Sequence, residues 1–329
     1  MPLGLSVASR SGLPARRFAE LASDAEHAGF DVFLVAERVA DAFALCQAAL
    51  AATERITVGT AIANARLRHP ALTAMTAATM DELYGGRVLL GLGVANTVLN
   101  EVTFGLPPAN PVPYVRDYVD VVRRVLAGER DAGTQVRGLQ LDRPPARQDI
   151  PILVAALQPR MLRLAGEIGD GVLLNLTTPA TLPGALAEVA KAGRDVTVAC
   201  VLPCALGVDD EESRQAGREL VVGYALHPAA TQLFGASGYV DELAAIAALL
   251  RDGHRAEALE LVSDALVDEF LLRGDERQVV DRVNAYQAAG VDLPVLFPVA
   301  AEGGWDAAVR RTIEFTANIR PSITKEVPV

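Results

Sequence analysis

From Leu3 onward the chain alternates between short, wholly apolar runs of strand length and longer amphipathic or Ala-rich stretches of helical length. Leu3 to Ala8 reads as a first strand, and Pro14 to Ala28 as a helix closed by Gly29. Asp31 to Ala36 (DVFLVA) is the second strand, Phe43 to Ala52 a helix, and Ile56 to Ile62 (ITVGTAI) the third strand. A third helix begins at Pro70, where proline suits the first turn, and stops at Gly85 and Gly86 before the fourth strand, Arg87 to Leu92 (RVLLGL). The fifth strand is Pro151 to Ala155, followed by a helix from Pro159 to Ile168. The sixth is Gly171 to Leu174, followed by a helix from Leu182 to Ala192, and the seventh is Val196 to Leu202. A capped helix over Asp275 to Ala289, an eighth strand over Val291 to Phe297 and a helix over Trp305 to Ile319 complete the series.

Apolar strands separated by amphipathic helices imply a parallel sheet covered on both faces. Eight such units are what a closed barrel requires, whereas a doubly wound sheet stops earlier. The expected fold class is therefore α/β, a (β/α)8 TIM barrel occupying residues 1–329 as one domain. Two stretches break the repeat, at about 96–149 after the fourth strand and about 224–273 after the seventh. The first holds a Pro-rich segment (PPANPVP), a helix from about Tyr114 to Ala127 and a polar Gly/Arg region; the second reads as mostly helical. Insertions at the C-terminal ends of barrel strands form lids or walls over the active site.

Composition narrows the function. Thirty Lys and Arg against forty-one Asp and Glu give a net charge of −11, which opposes binding to nucleic acid. No segment reaches the roughly 18 uninterrupted apolar residues of a membrane span, and no targeting signal is evident at MPLGLSVASRSG. Cys46, Cys200 and Cys204 give no disulfide framework, so a cytoplasmic setting is expected. Cys200 and Cys204 read as small buried hydrophobes. His27, His69, His227 and His254 are scattered without metal-ligand spacing, so no metal is expected. The expected partner is a small-molecule substrate.

The run from Ile56 to Glu101 resembles the luciferase-like flavin and deazaflavin oxidoreductases, in particular the methylenetetrahydromethanopterin reductase branch, which uses coenzyme F420. The likeness lies in a VGTxI-type strand, RHP at the head of a helix, that helix ending in DELYGGR, and a following strand with GLG. PILVAALQP, LAGEIGDGVLLN and FLLRGDERQVVDRVNAYQAAGVD extend it downstream. The resemblance implies a barrel, hydride transfer between the deazaflavin C5 and a small organic substrate, such as one with a C=N or C=C bond, and a homodimer. The alternative it leaves open is an FMN-dependent monooxygenase of the same fold. A barrel that binds or bridges subunits without catalysis is the third reading.

A flat cofactor needs an apolar slot, hydrogen bonds along its pyrimidine edge and an anion site. The resemblance implies a bulge with a non-prolyl cis peptide at Ala61 and Ile62 against the ring, with Asn64 just beyond; a plain trans strand and a turn asparagine are the other readings. It assigns the phosphate to Ala155, Ala156, Leu157 and Gln158 before the helix at Pro159, whose amides and dipole attract anions. Many relatives carry glycine at the positions of Leu157 and Gln158. Asn175 matches a polar cofactor contact, or else caps a loop. Gly91 and Gly93 allow close approach of ligand or backbone, and Asn96, Thr97, Asn100 and Glu101 follow at the rim. Asn100 and Glu101 match a cofactor-contacting pair of the sugar-phosphate dehydrogenase branch, but Thr97 stands where that branch has a catalytic glutamate, which disfavours glucose-6-phosphate oxidation. Glu37 and Arg38 are the catalytic candidates. Arg38 stands where relatives place histidine, and a guanidinium anchors anions better than it donates protons; a solvated ion pair is the alternative. Arg66, Arg68 and His69 either meet the acidic tail of F420 or simply charge a helix entry. Tyr224, Phe234 and Phe297 are candidate pocket walls.

Overall fold

A computed structural model describes residues 2–9, 11–133, 136–227, 233–300 and 304–323. Its strands are β1 (Gly4–Ala8), β2 (Val32–Ala36), β3 (Thr57–Thr60), β4 (Ala63–Asn64), β5 (Val88–Gly93), β6 (Ile152–Ala155), β7 (Gly171–Asn175), β8 (Thr197–Cys204) and β9 (Leu293–Pro298). All pairings among them are parallel, and the sheet closes because β3 and β4, two pieces of one barrel strand, both pair with β5. The result is the expected closed eight-strand barrel. Its outer helices are α1 (Ala15–His27), α2 (Ala42–Ala51), α3 (Pro70–Leu83), α4 (Pro111–Leu126), α5 (Pro159–Ile168) and α6 (Leu182–Ala190). After β8 come α7 (Asp210–Tyr224), α8 (Val240–Arg251), α9 (Arg255–Leu261) and α10 (Asp264–Phe270), and then α11 (Glu276–Ala288) and α12 (Trp305–Ile319) resume the ring.

Two details depart from the sequence reading. The helix expected inside the first insertion is α4, which packs against α3 and α5 as the barrel's own fourth helix. In the second insertion, α7 begins at Asp210, well before Tyr224, behind an Asp209 side chain that caps the Glu212 amide. With α8 to α10 it builds a second core around Leu220, Phe234, Ile246, Leu266 and Phe270, seated on Leu176, Ala205 and Val299 at the barrel's end.

Alternation along the strands explains where the barrel is full and where it is hollow. Leu3, Leu5 and Val7 face the helices, as do Phe33, Val35, Leu90 and Leu92. Val32, Leu34, Leu89, Leu153, Leu173, Leu293 and Val295 fill the interior. Toward the C-terminal ends the inward positions fall to Ser6, level with Leu34, and then to Ala8, Ala36, Gly93 and Ala155, so the packing stops and the mouth opens.

The break between β3 and β4 is a one-residue bulge: Gly59 pairs with Leu89 and Ala63 with Leu92, so three residues face two. The Thr60 hydroxyl replaces the lost ladder, donating to the Gly91 carbonyl at 2.7 Å and accepting the Gly91 amide at 3.1 Å. The bulge lies so close to β5 that a Cβ on Gly91 would stand 2.0 Å from the Thr60 carbonyl oxygen. Gly91→Ala should therefore cost about 3 kcal/mol or prevent folding. Gly184→Ala, where an added Cβ meets nothing within 4 Å, should leave the melting temperature equal or higher. Thermal denaturation of the two variants tests this, and an unperturbed Gly91→Ala would contradict the packing.

Candidate active site

The hollow mouth is a cavity of about 460 Å³. One wall is the bulge, where the peptide between Ala61 and Ile62 is cis. Val94 and Ala95 after β5, Ala155 to Gln158 after β6, and Asn175 and Leu176 at the end of β7 continue it. Ser6, Ala8, Val201 and Phe297 complete the ring from β1, β8 and β9, and Tyr224 and His227 descend from the insertion. A wider depression of about 640 Å³ lies on the outer surface between α4 and α5. Two ion pairs cross it, Arg116 to Glu167 and Arg123 to Asp170, which makes it largely a solvated salt-bridge surface.

Two rim residues, Ala95 (φ 50°) and Leu176 (φ 53°), adopt left-handed backbone without being glycine. Such a conformation costs about 1 kcal/mol each and clusters at functional sites. Leu176 directly follows β7, Ala95 lies two residues past the end of β5, and both line the cavity.

Glu37 holds one side of the mouth together. Its backbone N–H donates to the Ile62 carbonyl, while its carboxylate accepts the amide of Asn64 at 2.8 Å and that of Ala42 at 3.2 Å. Burial pushes its carboxyl above the usual range, and Asp41 nearby adds to the effect. Arg38 lies exposed on the rim, with its backbone N–H donating to the Ser9 hydroxyl.

On the opposite arc, Asn175 donates from Nδ2 to the Tyr224 hydroxyl at 3.3 Å, but its Oδ1 is buried and accepts no hydrogen bond from the described residues. The first turn of α5 is open in the same way. Its N-cap, Gln158, makes no side-chain bond to the turn, and Pro159 has no N–H, so the amides of Arg160 and Met161 lack intrahelical partners. An aliphatic wall, an unsatisfied acceptor and open helix amides around one cavity suit a flat ring bearing N–H groups and a phosphate arm.

The expected site residues divide into two sets. Ala61, Ile62, Asn96, Ala155, Ala156, Leu157, Gln158, Asn175, Glu37 and Arg38 line the cavity. Asn64, Asn100 and Gly93 lie behind its wall: Asn64 Nδ2 donates to Asn100 Oδ1, Asn100 Nδ2 donates to the Val94 carbonyl, and Gly93 leaves room for the Ile62 side chain. Asn96 accepts the Leu99 amide and so shapes the short π-helical turn Val98–Thr103. The basic cluster is committed elsewhere. Arg66 reaches the Pro107 carbonyl and covers the Tyr114 ring, Arg68 pairs with Asp41 over the Phe43 ring, and His69 caps α3. Tyr224 and Phe297 are walls as expected, but Phe234 is buried in the insertion core, edge-on to Phe270 at 4.4 Å.

Ser6 and His227 line the cavity without having been singled out in the sequence. The alternation LxLxV of the first strand already puts Ser6 on the inner face, and that was the available signal. His227 lies in an irregular stretch past α7, where no periodicity marks it. Burial pulls its imidazole below the usual range, favouring the neutral form.

The upward shift of Glu37 has a consequence for stability. A carboxyl that binds its proton more tightly when folded contributes fully below its unfolded value, and that contribution fades as pH rises through the folded value. Melting temperatures from pH 4 to 7 should show the wild type losing ground to Glu37→Gln as pH increases. A difference independent of pH would contradict the burial of this carboxyl.

Residues 1–293 match the family model described as luciferase-like monooxygenase. A Mycobacterium tuberculosis protein provisionally named a coenzyme F420-dependent oxidoreductase is 30% identical, covering 94% of this chain and 98% of its own. The 5,10-methylenetetrahydromethanopterin reductase of Archaeoglobus fulgidus is 30% identical over 81% of this chain and 85% of its own. Among solved structures, the coenzyme F420 dependent tetrahydromethanopterin reductase from Methanopyrus kandleri superposes with a TM-score of 0.83 at 23% identity, covering 98% of this chain and 99% of that one. At that identity the superposition speaks for the fold alone. With a family match over most of its length and a barrel built around an open, apolar mouth, the chain belongs to the luciferase-like monooxygenase family of enzymes.

Proposed function

We propose that this protein is an F420-dependent oxidoreductase acting on a small organic molecule. The observation that carries the reading is the unsatisfied Asn175 Oδ1 beside an aliphatic wall and an open helix N-terminus in one cavity. When bound, F420 supplies a two-electron hydride carrier. Ala61 and Ile62 support the ring face, Asn175 accepts from the pyrimidine edge, and the backbone of Ala155 to Gln158 with the α5 amides takes the phosphate. Asn96 borders the ring, while Asn64, Asn100 and Gly93 act on the cofactor through the wall they brace. Glu37 is the first choice for moving a proton at its carboxyl, and Arg38 anchors an anionic group at the rim. The aliphatic walls limit the water beside the ring and position the substrate against it.

The second reading, an FMN-dependent monooxygenase, is supported by the description of the family model itself. Titration of the purified protein with F420 and with FMN, followed by absorbance and fluorescence, separates the two. F420 should bind and FMN should bind far more weakly or not at all; tight FMN binding with oxygen-dependent turnover would overturn the proposal. Asn175→Ala should weaken F420 by about fivefold, as expected for one lost hydrogen bond.

The protein is further proposed to be a cytoplasmic homodimer. Its three cysteines are free and buried, with burial pushing the Cys200 and Cys204 thiols up to about 12, as suits a reducing compartment. Among the described residues no helix is long and apolar enough to cross a membrane. Leu72, Met75 and Leu83 form an exposed apolar stripe on one face of α3, available to a second copy. Sedimentation of Leu72→Asp/Met75→Glu should give a monomer mass where the wild type gives twice that; a wild-type monomer would contradict the assignment.

A further inference from the structure

The cavity has two unequal halves. Counting around the barrel, the groups assigned to the cofactor sit on the third to sixth strand positions, from Ala61 and Ile62 through Ala155 to Asn175. Diametrically opposite β6 stands β1, and there the inner face carries Ser6 between Gly4 and Ala8. Ser6 lines the cavity, is only 1% exposed, and its hydroxyl has no hydrogen-bond partner among the described residues. Its neighbours on either side are apolar. Leu34 stands level with it on β2, Ala36 lies one inward position nearer the mouth, and Phe297 on β9 and Val201 on β8 continue the lining.

A buried hydroxyl with nothing to bond is costly, and the cost is recovered when a ligand atom completes the bond. An alanine would fill the same space without that cost, as Ala8 and Ala36 do in the next layer toward the mouth. A buried, unbonded hydroxyl flanked by apolar side chains is also an arrangement that discriminates ligands sharply, because an analogue lacking the matching group leaves the site's own donor unpaired.

We propose that Ser6 is the specificity-determining residue of a substrate subsite on the β1, β8 and β9 side of the mouth. The ligand it fits is a compact apolar molecule with one neutral oxygen, a carbonyl or hydroxyl, directed at the barrel floor. Ser6 donates to that oxygen, while Phe297, Val201 and Ala36 enclose the hydrocarbon. This assignment rests on the F420 reading, since it takes the half of the cavity that the cofactor leaves.

The test compares two probes of the same shape, cyclohexanone and cyclohexane, titrated into F420-loaded wild type and Ser6→Ala and followed by cofactor fluorescence. Cyclohexanone should bind the variant about tenfold more weakly than the wild type, while cyclohexane binds both equally. Equal losses for both probes, no loss for either, or no binding of cyclohexanone to the wild type would overturn the subsite while leaving F420 binding intact. Failure of F420 to bind the wild type would remove the parent reading, and the subsite with it. Thermal denaturation without cofactor supplies an independent readout: Ser6→Ala should melt at the same temperature or higher. A clearly lower value would mean that the hydroxyl is already bonded within the protein, against the proposal.

Discussion

The structure depends on how closely the third barrel strand approaches the fourth. Gly59 and Gly91 let the two backbones come within a distance that no side chain tolerates, with an added Cβ at Gly59 falling 2.1 Å from the Leu89 carbonyl oxygen. That approach, with the Thr60 hydroxyl standing in for a ladder partner, allows one extra residue to be accommodated without opening the barrel. The extra residue turns Ala61 and Ile62 toward the mouth. Glu37 then fixes the far side of the bulge through its backbone bond to Ile62 and its carboxylate bond to Asn64. Asn64 in turn holds Asn100, and Asn100 holds the backbone at Val94. A single chain of bonds thus runs from the end of the second strand, across the bulge, to the π-helical turn that follows β5.

The mouth is hollow for a simpler reason. The barrel interior is filled by branched side chains in its lower layers, and then the inward positions shrink to Ala, Gly and Ser. Closing the top is left to the insertion after β8, which carries its own core and contributes Tyr224 and His227. A rigid floor and wall on strands, with a separately packed helical cover, lets the cover change without disturbing the barrel wall.

Much of this was legible in the sequence, for identifiable reasons. Strands buried on both faces read as continuous apolar runs, and ITVGTAI, RVLLGL and PILVA are such runs, so the barrel order and the residues at the strand ends could be assigned directly. The roles of Asn64 and Asn100 were harder, because a polar residue at a strand end looks the same whether it faces a ligand or another asparagine. Phe234 was assigned by position after a strand, but the tertiary packing of α8 to α10 draws it into a core of its own. α7 was overlooked although DDEES carries a capping signal, since its apolar spacing is weak and its stability comes from docking on Leu271 and Val267. Ser6 was hidden inside a run counted as wholly buried, where the alternation of inner and outer faces mattered more than the hydrophobic average.

The account rests on the aliphatic wall at Ala61 and Ile62 being the seat of a flat cofactor. A crystal structure of the protein soaked with F420 measures this directly. The tricyclic ring should lie face-on against Ala61 and Ile62, with its pyrimidine edge at Asn175 Oδ1 and its phosphate at the amides of Arg160 and Met161. Density for the ring elsewhere on the barrel, or a mouth still without the ring at saturating F420, would contradict it.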